Sequence, residues 1–222
     1  MSPVVVLRHA PSKYSAAYRV NGDPSVDVPL TGEGEAACHA ARTVLPLENV
    51  VTCVTSAFTR CRRTAELLMA GAISVLVDDR LNELDYGAFE GREFLAYARW
   101  LTQHGPHRRP PKAAESQAEG IARMLSGLET VLDRPGPYLV VTHGLLVSVL
   151  QWAHEHPCQP LTEVFLPTAT CLRPLALPEA ELRSLSRWLL RDLQQASRHS
   201  RGWHADLGVF PEDMRSSLLP SV

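Results

Sequence analysis

Lysine is nearly absent from this chain. Only Lys13 and Lys112 occur, so the basic residues are almost all arginine. That bias reflects a GC-rich genome and makes a lone arginine weak evidence of function. Net charge is also small, at −2, which excludes a broad nucleic-acid or membrane surface. There is no apolar run of membrane-spanning length. No charged n-region or cleavage site precedes the first apolar run at Pro3, so no signal peptide is expected and the reading is cytoplasmic. The five cysteines, Cys38, Cys53, Cys61, Cys158 and Cys171, are odd in number and form no CxxC. They read as reduced, mostly buried thiols. Neither HExxH nor a Cys/His zinc spacing is present. His154-Glu155-His156 reads as a solvated helix end rather than a metal site. No internal repeat is visible.

What is present is ordinary globular material. The chain has 222 residues and is 45% hydrophobic, enough for one sizeable core. Four β-rich runs stand out: Pro3–Leu7, Asn49–Thr55, Ile73–Val77 and Tyr138–Thr142. None alternates cleanly, which suits strands buried on both faces of a parallel sheet. A fifth strand is expected at an edge near Thr168–Leu175. Helical patterns lie between the strands. Thr31 is a candidate N-cap for a helix through about Leu45, with Ala36, Ala37, Ala40, Ala41 and Val44 on its apolar face. Ser56 is read as the cap of a second helix, with Phe58, Cys61, Ala65 and Leu68 inward and Arg60 and Thr64 on a neighbouring face. Further helices are expected at Glu93–His104, Ser116–Leu132 and Gly144–His156. The segment Gly105–Ala114 is Pro-rich and basic and reads as a loop. The alternation predicts an α/β fold: a three-layer α/β/α sandwich with a mostly parallel central sheet. Residues 1–177 form the predicted catalytic domain. Residues 178–222 follow as a helix with an apolar stripe (Leu182, Leu185, Trp188, Leu189, Leu193) and a tail with Trp203, Leu207, Val209 and Phe210. This segment is expected either on the same domain or at a homodimer contact.

The polar residues cluster by position. Arg8-His9 follows the first strand, Ser56 to Arg60 the second, Glu83 the third and His143-Gly144 the fourth. Loops at the carboxyl ends of parallel strands converge on one crevice, where ligands bind. Each residue alone has a bland explanation; their shared placement is the signal. The chemistry is coherent. Two guanidiniums fit a phosphate dianion. A neutral imidazole is a nucleophile at phosphorus, and neighbouring arginines keep it neutral. A second histidine can donate to the phosphoryl oxygens, and a carboxylic acid can protonate the leaving oxygen. The residues alone do not say which histidine attacks. No metal or other cofactor is called for, because the arginines neutralise the charge.

The motifs resemble those of the histidine phosphatase superfamily, with its phosphoglycerate-mutase-like fold. RHAPSKYSAAYRVNG carries Arg8, His9, Arg19 and Gly22 in register with the family's first motif. DVPLTGEG (27–34), SAFTRCRRTA (56–65), LNELDYGAFEG (81–91), Glu115-Ser116 through Arg123, and VTHG (141–144) follow in order. The resemblance implies that His9 is the nucleophile and becomes phosphohistidine. It implies that Arg8, Arg60 and His143 hold the phosphoryl group and that Glu83 donates the proton. Ser12, Tyr14, Ser15, Arg19, Asn21 and Gly144 are the candidate phosphate- and substrate-binding residues. Lys13, Tyr18, Arg108, Arg109 and Lys112 are candidates for the rim. Three departures stand out. The family's usual Gly is Ala10, which would carry about 1 kcal/mol of strain at φ > 0 and so implies a conformation that accepts a methyl. A phosphate-touching Asn is Ser15. Two extra residues lie between Gly22 and Asp27. The implied activity is metal-independent hydrolysis of a small-molecule phosphate ester. The alternatives are a phosphomutase, disfavoured by the modest insert between Glu83 and His143, and a silent binding protein, disfavoured because all five core residues are present.

Overall fold

The computed structural model describes residues 3–199 and 202–209; Phe210 lies outside them. Five strands form one sheet in the order β3-β2-β4-β1-β5. The strands are β1 (Pro3–Arg8), β2 (Thr52–Thr55), β3 (Val75–Val77), β4 (Tyr138–Thr142) and β5 (Leu175–Pro178). The first four are mutually parallel and β5 runs antiparallel to β1 at the edge. The architecture is the α/β sandwich expected from the sequence.

Central strands β1 and β4 bury both faces, which is why they show no polar alternation. Val4, Val6, Tyr138 and Val140 face one layer. That layer contains α4 (Phe94–His104), α5 (Gln117–Leu132), α6 (Gly144–Glu155) and α7 (Glu179–His199). Val5, Leu7, Leu139 and Val141 face α3 (Thr59–Met69), through Phe58, Cys61, Ala65 and Leu68. Each such fully buried side chain stabilises the fold by roughly 1.5–3 kcal/mol before conformational entropy is subtracted. The Leu182, Leu189 and Leu193 stripe of α7 is buried in the same core as α5. The division at residue 177 falls inside β5.

Three expectations about elements are corrected. The helix α2 (Gly32–Ala41) is capped by Thr31, whose hydroxyl accepts from Gly34 N, but it ends four residues before Leu45. Its inward residues are Gly34 and Cys38, while Ala36, Ala40 and Val44 are exposed. Alanine buries so little area that an alanine-rich helix does not announce its inner face, whereas Gly34 lets the backbone touch the Pro11 carbonyl. Helix α3 starts at Thr59, with Phe58 rather than Ser56 at the cap position and no side-chain cap bond. The edge strand occupies Leu175–Pro178 rather than 168–175. Residues 164–168 and Cys171 instead line the cavity described next, and Arg8 Nη1 donates to the Ala169 carbonyl between them at 2.9 Å.

Candidate active site

The strand register sets the floor of the site. Arg8 pairs with Thr142 at the ends of β1 and β4, and Thr55 aligns with Val141 and Val77 on β2. The chain leaving each strand therefore emerges on one sheet edge. His9 follows β1 and its backbone N–H donates to Thr142 O at 2.9 Å. His143 follows β4 as the residue before α6. Arg60 sits in the first turn of α3 and Glu83 in the loop after β3.

The two histidines are buried side by side, with ring centroids 5.5 Å apart. His9 Nδ1 lies 2.7 Å from Ala10 O, and Arg60 Nε donates to His9 Nε2 at 3.1 Å. An arginine cannot accept, so Nε2 is the unprotonated nitrogen and Nδ1 carries the proton given to Ala10 O. The same logic applies to His143. Arg60 Nη2 donates to its Nδ1 at 3.2 Å, so Nε2 carries the proton and donates to Ser56 Oγ at 2.9 Å. Burial pushes both imidazoles well below the usual histidine range. Arg60 and Arg8 push His9 further down, and Arg60, His9 and Arg8 do the same to His143. Both rings are neutral at pH 7.

Arg60 is the hub. Besides the two histidines it donates to the Asn21 side-chain oxygen and, at 3.0 Å, to Asn21 O. The Phe58 ring lies 4.1 Å from its guanidinium carbon. Asn21 is held in turn by Glu90, which accepts from Asn21 Nδ2 at 2.9 Å and from Gly22 N at 2.7 Å. Gly22 is needed because a Cβ there would run into the Leu84 carbonyl. Arg8 keeps its Nε buried without a partner among the described residues, a donor poised beside Gly144.

Glu83 lies 3.9 Å from His143 Nδ1 and accepts from Leu84 N at 3.0 Å. Burial raises its carboxyl above the usual range, against the opposing pull of Arg60, Arg8 and Arg123. Its loop is clamped by Arg123, which donates to the carbonyls of Arg80, Asn82 and Glu83 and pairs with Glu115 at 2.6 Å. The Glu115–Arg123 motif thus positions the acid rather than touching the cavity.

Four of the five predicted core residues, Arg8, His9, Arg60 and Glu83, line one cavity of about 710 Å³, and the fifth, His143, is fully buried beside His9 and Arg60. Ser12, Tyr14, Ser15, Arg19, Asn21 and Gly144 also line it, as does Tyr18. The hydroxyls of Ser12 and Ser15 are engaged with each other in a capping box on α1 (Lys13–Ala16). Asn21 holds Arg60, and Arg19 donates to Gly91 O at 2.8 Å. Arg109 pairs with Glu119 at 2.7 Å, and Arg108, Arg109, Lys112 and Lys13 do not line the cavity. Ala10 is not in a positive-φ conformation; its methyl packs with Leu30 and Cys38, and its N–H donates to Thr64 Oγ1 at 3.1 Å. His154 pairs with Glu181 at 2.8 Å and His156 stacks on Trp152. Among the described residues no cluster of three or more His, Cys, Asp or Glu is arranged to hold a metal, and no helix is long and apolar enough to cross a membrane.

Sequence reasoning misses several contributors. Ser56 reads as a helix cap and instead orients His143. Cys61, which reads only as an apolar contact, lies 3.6 Å from His143 Nε2, and burial pushes its thiol up to about 12. The far wall, including Tyr86, Tyr97, Leu101, Phe165, Leu166 and Val209, carries no sequence signal that sets it apart from core.

A Klebsiella pneumoniae protein named as a probable phosphoglycerate mutase, GpmB, is 34% identical over 164 residues, covering 68% of this chain and 73% of its own. Its Cronobacter sakazakii counterpart is 32% identical over 160 residues, with the same coverage. Among solved structures, a mycobacterial glucosyl-3-phosphoglycerate phosphatase with VO3 is 25% identical, with a TM-score of 0.57 over 69% of this chain and 81% of that one. A Thermus thermophilus protein, TTHB049, is 28% identical, with a TM-score of 0.55 over 67% and 83%. Residues 4–181 match the histidine phosphatase superfamily, branch 1, and the chain belongs to that family.

Proposed function

We propose that this protein is a phosphomonoesterase that hydrolyses a small phosphate ester through a phosphohistidine on His9. One observation carries the reading: His9 Nε2 is an unprotonated nitrogen facing Arg60, with its proton locked on the opposite side by Ala10 O. Substrate phosphoryl oxygens take over the donors of Arg60 and the unpartnered Arg8 Nε, freeing the Nε2 lone pair. Nε2 attacks phosphorus, the P–N bond forms and the ester P–O bond breaks. Glu83, whose carboxyl burial raises above the usual range, gives its proton to the leaving oxygen. The resulting carboxylate takes a proton from water, whose oxygen attacks phosphorus. The P–N bond breaks, inorganic phosphate leaves, and His9 returns neutral. His143, held by Ser56, accepts from Arg60 Nη2 and so positions the guanidinium that meets the phosphoryl group. The arginines neutralise the dianion, so the reaction runs without metal.

A panel of phosphate esters tests this with wild type and His9→Ala, each with and without EDTA. Hydrolysis that survives EDTA and disappears in His9→Ala is expected. Turnover retained in His9→Ala would overturn the mechanism. The names of the relatives favour a second reading, a phosphomutase using the same phosphohistidine. Label released from the phosphoenzyme into water supports hydrolysis; label passed to a bound hydroxy acid supports the mutase.

A further inference from the structure

The cavity is far larger than a phosphoryl group needs. About 710 Å³ lies within the range of sites for whole small molecules, roughly 300–1,000 Å³. Arg8, His9, Arg60 and Glu83 occupy one end. Tyr86, Tyr97, Leu101, Phe165, Leu166 and Val209 make up much of the remaining lining, together with polar residues such as Gln117 and Thr168. Tyr86 and Tyr97 pack edge to face at 4.8 Å, and burial pushes both phenols up, so the wall is uncharged. Besides Arg8 and Arg60, Arg19 lines the cavity; it is exposed to solvent and its Nη1 is given to Gly91 O. The polar side chain of Ser148 is likewise consumed, donating to Pro167 O and accepting from Ala169 N. Part of the wall comes from beyond residue 181, where the family match ends. The backbone of His204 pairs with Thr162 and Val164, and Trp203 packs on His107 at 5.3 Å, which carries Val209 to the cavity.

A phosphorylated hydroxy acid bears a carboxylate as well as the phosphate. Burying that second anion against these aromatic and aliphatic side chains costs desolvation that the solvent-exposed, screened Arg19 offsets only in part. An apolar or aromatic ester body gains from the same wall, in proportion to the area it takes from water. Building on the proposed hydrolysis, we infer that the site selects phosphate monoesters with an apolar or aromatic alcohol portion, bearing no second anionic group. The wall residues are specificity determinants. They contribute to the fit of the ester body and not to phosphoryl transfer.

Two ligand pairs test this. For binding, calorimetry compares benzylphosphonate, which has an apolar body, with 3-phosphonopropanoate, which carries a carboxylate. For turnover, kcat/KM is compared for 1-naphthyl phosphate and 3-phosphoglycerate. At least tenfold tighter binding of benzylphosphonate is expected, with the same preference in kcat/KM. Leu166→Ala, at a half-buried site, should cut the 1-naphthyl phosphate value about tenfold, chiefly through KM, and so shrink its preference over 3-phosphoglycerate. Equal or tighter binding of 3-phosphonopropanoate would overturn the inference, even if hydrolysis through His9 holds. The binding preference without any His9-dependent turnover would instead keep the ligand class and overturn the proposed hydrolysis.

Discussion

The two ends of the cavity are built differently. At the floor, His9, Arg60 and His143 are buried, and each is tied by hydrogen bonds to two or more groups, mostly from the loops at the strand ends. At the wall, Leu101, Leu166 and Val209 present apolar side chains that make no hydrogen bonds and are placed by packing and the path of the backbone. A hydrogen-bonded floor fixes atoms to within a few tenths of an ångström, which in-line chemistry demands. A packed wall fixes only shape and polarity, which is what choosing among ester bodies requires. The same fold can therefore keep its chemistry while its substrate changes.

Substitutions should divide along that line. The largest effect belongs to His9→Ala, with hydrolysis down by at least about 10⁴-fold for every ester tested, measured as kcat. Glu83→Gln comes next. It should cost roughly 10²- to 10⁴-fold with an alkyl phosphate and much less with p-nitrophenyl phosphate, whose leaving oxygen needs no proton. The pH profile follows from the same two groups. His9 must be neutral, so activity falls on the acid side through its depressed pKa; Glu83 must be protonated, so activity falls on the alkaline side through its raised pKa. Loss of the alkaline limb in Glu83→Gln would assign that limb, and an unchanged profile would contradict the assignment. Asn21→Ala releases the Arg60 guanidinium from one side and should lower kcat/KM roughly 10- to 100-fold at every ester, unlike a wall substitution.

Stability depends on pH through the floor as well. His9 and His143 have folded pKa values below the unfolded value of about 6.5. The stability they contribute is complete above about pH 6.5 and is lost as pH falls toward their folded values. Glu83 has the opposite sign: its raised pKa favours the fold in acid and withdraws stability as pH climbs above the unfolded value. The thermal midpoint should drop between pH 7 and pH 5, and His143→Gln should flatten that drop. A drop as large in His143→Gln as in wild type would show that His143 is not buried neutral.

Much of this floor is legible in the sequence because chemistry-bearing residues are rare at strand ends and stand out against valine and leucine runs. Arg8-His9, Arg60, Glu83 and His143 can be placed together before any coordinates. Residues that act through a single hydrogen bond are harder to read. Ser56 looks like a helix cap until the imidazole beside it is seen, and Asn21 looks like a substrate contact until Arg60 is found against it. Ser12 and Ser15 look like phosphate donors, but they close a capping box with each other. The wall is the least legible part. Leu166 and Val209 are ordinary apolar residues, and only the path of the 162–171 stretch and the pairing of His204 bring them to the cavity. Alanine and glycine on α2 mislead for a related reason: small side chains carry almost no periodic signal, so backbone contact decides the inner face.

The central claim is that His9 Nε2 carries the phosphoryl group. Acid-free quenching of the enzyme during turnover of a ³²P-labelled ester tests it directly. The account predicts label on the protein that is stable in alkali, released by acid, mapped to His9 and absent from His9→Ala. Label that survives in His9→Ala, or wild-type turnover with no labelled protein at any time point, would contradict it.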